Sequence, residues 1–82
     1  MRTVEQTRDA LHPSAVREFE DAVFRVIDEW ARPVAHRSPG PRHIAAMRAQ
    51  RKCSDQIWDM DIDELLDVID PDIADMLADL IH

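Results

Sequence analysis

The sequence predicts an all-α fold: a small bundle of four to five helices, the last two short and acidic. Three observations carry this. The 82 residues include one glycine and no tyrosine, and few stretches alternate β-branched with polar residues, which leaves almost nothing for strands. Apolar residues recur instead at spacings of three and four. Capping side chains, followed by Pro or by Glu/Gln, also punctuate the chain at intervals that suit short helices.

Thr3 and Gln6 have the form of a capping box and predict a short first helix over residues 4–11, broken at His12-Pro13. Ser14 is the expected cap of the next helix. There Val16, Phe19, Val23, Val26 and Trp30 form an apolar face, with Ala22, Phe24 and Ile27 beside it and Arg17, Glu18, Asp21, Arg25, Asp28 and Glu29 opposite. That apolar arc is wide enough to meet more than one neighbour or a second chain. Pro33 is expected to end the helix, and residues 34–41 read as a loop. Gly40-Pro41 then suggests a cap followed by proline at the first helical position.

The third helix shows a stripe of Ala46, Ala49, Cys53, Ile57 and Met60. Its composition leaves open whether it is continuous through Ser54. Asp61 with Glu64 repeats the capping pattern, ahead of Ile62, Leu65, Leu66 and Ile69. Asp70-Pro71 does so again, ahead of Ile73, Met76, Leu77, Leu80 and Ile81. Two short amphipathic helices meeting at a corner at Asp70-Pro71 are predicted.

Length allows one small helical domain over residues 1–82. Its charge is unevenly placed. Residues 1–52 hold all 10 Lys and Arg against 7 acids, a net +3, whereas residues 53–82 hold 10 acids and no Lys or Arg, a net −10. A mildly basic body therefore carries an acidic amphipathic end, and the whole chain sums to −7. This balance argues against nucleic acid as partner of the whole molecule, since phosphate attraction needs a basic surface. With no apolar N-terminal run and no long apolar segment, neither signal peptide nor membrane span is expected. The single cysteine, Cys53, fits a core thiol in a reducing, cytoplasmic setting.

Few residues invite chemistry. Asp59, Asp61 and Asp63 alternate as in a calcium loop, but Glu64 stands where that loop needs glycine, and residues 65–69 read as helix. His12, His36, His43 and His82 are scattered, and with Cys53 they give no zinc spacing. No phosphate loop or nucleophile motif occurs, so no enzyme, cofactor or metal is expected.

The acidic end offers more. Asp63, Asp67 and Asp70 share one side of the first short helix, and Asp72, Asp75 and Asp79 share one side of the second. They read either as a solvated face or as a docking surface for an Arg/Lys-rich partner, with the apolar stripes beneath lying in a partner groove. Trp58 is added to these six as a candidate partner-binding residue, since a tryptophan anchors either a core or an interface. Arg42, Arg48, Arg51 and Lys52 make the middle helix basic. They suit pairing with the acidic end of the same or a neighbouring chain, or alternatively phosphate.

Two stretches carry resemblances. Residues 10–20 (Ala-Leu-His-Pro-Ser-Ala-Val-Arg-Glu-Phe-Glu) resemble the short helical stretch of small actinobacterial antitoxins, which implies a neutraliser or DNA-binding regulator. Residues 61–70 (Asp-Ile-Asp-Glu-Leu-Leu-Asp-Val-Ile-Asp) resemble the acidic C-terminal docking helix of modular polyketide synthases, which implies a docking domain for a larger assembly. From the residues themselves, the expectation is a non-enzymatic interaction protein. It would be a regulator or inhibitor binding a basic protein surface, and it would self-associate through the wide apolar arc.

Overall fold

In a computed structural model describing residues 1–82, α1 (Val4–Asp9), α2 (Pro13–Arg37), α3 (Arg42–Asp59), α4 (Ile62–Val68) and α5 (Pro71–Ile81) follow one another without a β-strand. The predicted all-α bundle is present, with the last two helices short and acidic. The molecule is elongated, 42 × 23 × 20 Å, because α2 and α3 form a long antiparallel hairpin and the other helices pack near one end. One cluster of 13 buried residues draws on all five helices: Val4 from α1, Phe19, Val23, Val26 and Ile27 among those of α2, Cys53 and Ile57 of α3, Leu65 of α4 and Leu77 of α5. The wide arc of α2 meets three neighbours, α1, α3 and α5.

The caps explain most boundaries. The Thr3 hydroxyl accepts from the Gln6 amide and the Gln6 side chain accepts from the Thr3 amide, both at 3.1 Å, completing the box. Asp61 accepts from the Asp63 amide at 2.9 Å and Asp70 from the Asp72 amide at 2.8 Å. Pro71 then occupies the first turn of α5, where its missing amide proton costs nothing.

Five expectations need correction. First, α1 stops at Asp9, short of residue 11. Second, His12 rather than Ser14 caps α2: its Nδ1 accepts from the Ser14 amide at 3.2 Å, and Pro13 is the first helical residue. Proline there fixes φ for helix and holds its predecessor extended, which makes that predecessor the cap. Third, α2 continues through Pro33 to Arg37. Pro33 deprives the Glu29 carbonyl of its donor, but both residues are exposed, so water can serve that carbonyl. Val34 and Ala35 pack against the core beyond it.

Fourth, the loop shrinks to residues 38–41. Gly40 turns the chain at φ 101°, a region that side chains with a Cβ rarely adopt, and Pro41 is the cap position of α3 rather than its first helical residue. Fifth, Ala45 and not Ala46 joins Ala49, Cys53 and Ile57 in the buried stripe, and Met60 lies beyond the helix end. The helix itself is continuous through Ser54.

Sequence pattern gave no sign of one tie. The Val4 amide donates to the Met60 carbonyl at 2.8 Å, and the Ile62 amide donates to the Arg2 carbonyl at 2.9 Å. This isolated antiparallel bridge between Thr3 and Asp61 fastens the N-terminus to the α3–α4 junction.

Candidate protein-interaction surface

The acidic surface is built on α4 and α5. At 7 and 11 residues, neither helix is long enough to persist alone in water, where about 12–15 residues are marginal even for good helix formers. Tertiary packing holds them. Leu65 and Leu77 are completely buried, Ile62 nearly so, and Leu66, Ile69, Ile73, Leu80 and Ile81 pack half-buried around the same cluster. The apolar stripes therefore complete this protein's own core. Of the predicted stripes only Met76 stays exposed, as does Val68 outside them, so the face left for a partner is chiefly the opposite side of each helix.

That face is the Asp row. Asp63, Asp67, Asp70, Asp72, Asp75 and Asp79 are all exposed. Asp70 is engaged as a cap; the other five make no side-chain hydrogen bond. None of the ten acids of residues 53–82 forms an ion pair, because every salt bridge in the molecule belongs to Arg8, which reaches Glu5, Asp9 and Glu20 at 3.4–3.8 Å. The expected pairing of Arg42, Arg48, Arg51 and Lys52 with the acidic end of the same chain does not occur. α3 holds those bases along the hairpin, away from the row.

Trp58 sits apart from the row, in a partly buried aromatic group. Its ring lies 6.4 Å from that of Phe19 and 6.3 Å from that of Phe24, the latter edge-on at 78°. The Arg8 guanidinium covers its face at 4.7 Å. In this chain the indole braces α1 against α2 and α3.

A second surface joins α2 and α3, of which the sequence suggested only the wide apolar arc of α2. One side of the α2–α3 hairpin is a seam that α1 reaches only at the Trp58 end. Three shallow concavities run along it and share lining residues. The first lies between Phe24, Ile27, Met47, Arg51 and Asp55, the second around Asp28, Ala31, Ala46 and Gln50, and the third among Arg32, His36, Gly40 and Arg42. Gln50 Nε2 donates to Asp28 Oδ1 across the seam. The available signal was the position of Met47 on the side of α3 away from the alanine stripe. Nowhere do three His, Cys, Asp or Glu side chains converge as metal ligands, and no helix is long and apolar enough to cross a membrane.

Searches with family models, among curated proteins and among solved structures found no match, so the antitoxin-like and docking-helix resemblances gain no support there.

Proposed function

We propose that this chain is a non-enzymatic interaction protein, a regulator or inhibitor, whose α4–α5 acidic face engages a basic surface on a partner protein. One observation carries the reading. Ten carboxylates lie in residues 53–82 without a single internal ion pair, and those of α4 and α5 stand on helices whose apolar residues are mostly locked into the core. Six of them form rows on two short helices, a spacing suited to Arg and Lys side chains and a mimic of phosphate charge. A reducing, cytoplasmic setting suits the unpaired buried thiol of Cys53.

The test is capture by the full chain against a variant carrying Asp67→Asn, Asp75→Asn and Asp79→Asn. The expected result is a basic partner held by the wild type at physiological salt and released near 1 M salt, where the screening length falls to ~3 Å. The variant should keep its helicity and lose the partner. Equal capture by the variant would reduce the row to a solvated face.

Nucleic-acid binding is the second reading, and a specific feature favours it: residues 30–54 contain Arg32, Arg37, Arg42, Arg48, Arg51 and Lys52 and no acid. Retardation of duplex DNA by the full chain at physiological salt would favour this reading over the first. Deleting residues 54–82 is no clean test of it, because that cut severs α3 and removes Leu65 and Leu77 from the core.

A further inference from the structure

We propose that the outer seam of the α2–α3 hairpin is the contact face of a two-fold symmetric dimer, occupied by the same seam of a second copy running antiparallel. The inference is independent of the acidic-face reading, since α5 meets α2 along the Glu18, Ala22 and Arg25 side and the seam follows the Phe24 and Asp28 side.

Apolar exposure marks the face. Met47 is 69 % exposed and Phe24 48 %, and Ile44, one turn before Met47, is also exposed. Three of the molecule's six exposed large apolar residues thus belong to these two helices, with Ile27 and Ala31 forming the floor between them. Grouped apolar exposure of this kind marks contact surfaces more often than isolated side chains do. In the antiparallel register given below, residues 47–59 of α3 overlap with their copy. Together with α2 they offer a surface roughly 20 Å long and about 20 Å wide, about half the ~800 Å² per partner of a standard interface, which fits a weak, concentration-dependent dimer.

Charge identifies the occupant. At the loop end the seam is lined by Arg32, His36 and Arg42. At the other end stand Asp55, Asp59 and Glu5 around Trp58, outnumbering the one base there, Arg8, which is itself paired with Glu5. A surface graded from basic to acidic along its length is complementary to itself when turned end for end, which is the symmetry of an isologous dimer. In the register that sets Arg51 of one copy against Asp55 of the other, each such pair occurs twice. Phe24, which shares its concavity with Ser54 and Asp55, then lies near the axis and meets its own equivalent. Met47 reaches toward the Trp58 end of the other copy. The product is a four-helix layer, the usual way for two helical hairpins to cover their open sides.

Sedimentation velocity of the full chain over a concentration series tests this. The wild type should reach twice its 9.5 kDa chain mass and go no further. Met47→Glu should weaken the dimer roughly tenfold or more with an unchanged helical spectrum. Arg51→Glu alone and Asp55→Arg alone each place like charges together twice and should yield monomers. Mixing those two variants, or combining both changes in one chain, restores opposite charges at both positions and should restore the dimer. A wild type that stays monomeric at high concentration would overturn the proposal. So would assembly beyond the dimer, a dimer indifferent to Met47→Glu, or failure of the two charge changes to rescue each other.

Discussion

The α4–α5 end and the α2–α3 hairpin handle apolar surface in opposite ways. The two C-terminal helices are too short to stand alone, so each commits most of its apolar side to the shared core and leaves Val68 and Met76 outside beside the carboxylates. The hairpin is long; α2 alone has 25 residues. It buries one side in the core and on the other leaves Met47 uncovered and Phe24 half-exposed against Trp58. Consequently the acidic end recruits a partner chiefly through charge, which salt weakens and which tolerates variation in partner shape. The seam combines apolar contact with graded charge, which favours one fixed geometry. One small chain thus carries two surfaces with different physical characters.

The sharpest way to break this contrast is to remove one apolar side chain from each region. Leu77 is fully buried, and Leu77→Ala should cost about 2–5 kcal/mol. The core of so small a domain supplies ~3–5 kcal/mol in total, so this variant should be largely unfolded at room temperature. Met47→Ala, measured at a concentration low enough to keep the chain monomeric, should stay within about 0.5 kcal/mol of wild type. Thermal or urea unfolding followed by circular dichroism gives both numbers. A mild Leu77→Ala would mean that α5 is only loosely attached, and that its apolar stripe is available after all.

Much of this division was legible in the residues, where local chemistry decides. Thr3, Asp61 and Asp70 are caps as read, because a short polar side chain before a helical run has few other uses. The apolar stripes of α4 and α5 are also as read, except that Met76 of the second is exposed. What misled was chemistry that tertiary packing overrules. Pro33 reads as a stop, yet its cost, up to ~3 kcal/mol in a helix interior, is outweighed by the contacts that Val34 and Ala35 make with the core. Ala45 and Ala46 are indistinguishable by hydrophobicity, and only the direction of α3 against α2 decides which is inside. The bridge between Thr3 and Asp61 joins backbone groups far apart in sequence and leaves no side-chain trace. Trp58 could be read as core or interface, and its burial between Phe19, Phe24 and Arg8 depends on where three helices meet.

A second comparison separates the two roles that aspartate plays at the acidic end. Asp70 caps α5 through the Asp72 amide, and Asp70→Ala should lower stability by about 1 kcal/mol. Asp70→Asn should be nearly neutral, since Asn caps as well as Asp. If capping were all that Asp70 does, the Asn variant would bind the basic partner as wild type does. Weaker capture by a chain of normal stability would show that its charge belongs to the docking row as well.

The remaining aspartates should behave in the opposite sense. Asp63 and Asp67 are four apart on α4, and Asp75 stands three from Asp72 and four from Asp79 on α5, with no base on either helix and no ion pair to offset them. Such like-charge pairs destabilise a helix by ~0.2–0.5 kcal/mol each. Asp79 also lies near the negative end of the α5 dipole, an unfavourable place for a carboxylate. Changing Asp67, Asp75 and Asp79 together to Asn relieves all three pairs at little cost in helix propensity. The variant should therefore melt slightly above wild type at low salt, with the difference shrinking as salt is raised and repulsion is screened. A row that makes the fold less stable has a use outside the fold, and the same variant's loss of partner capture would say what that use is. If the variant instead melts lower, the carboxylates stabilise the helices in some way that their lack of hydrogen bonds and ion pairs does not reveal, and the case for a docking surface loses its main physical support.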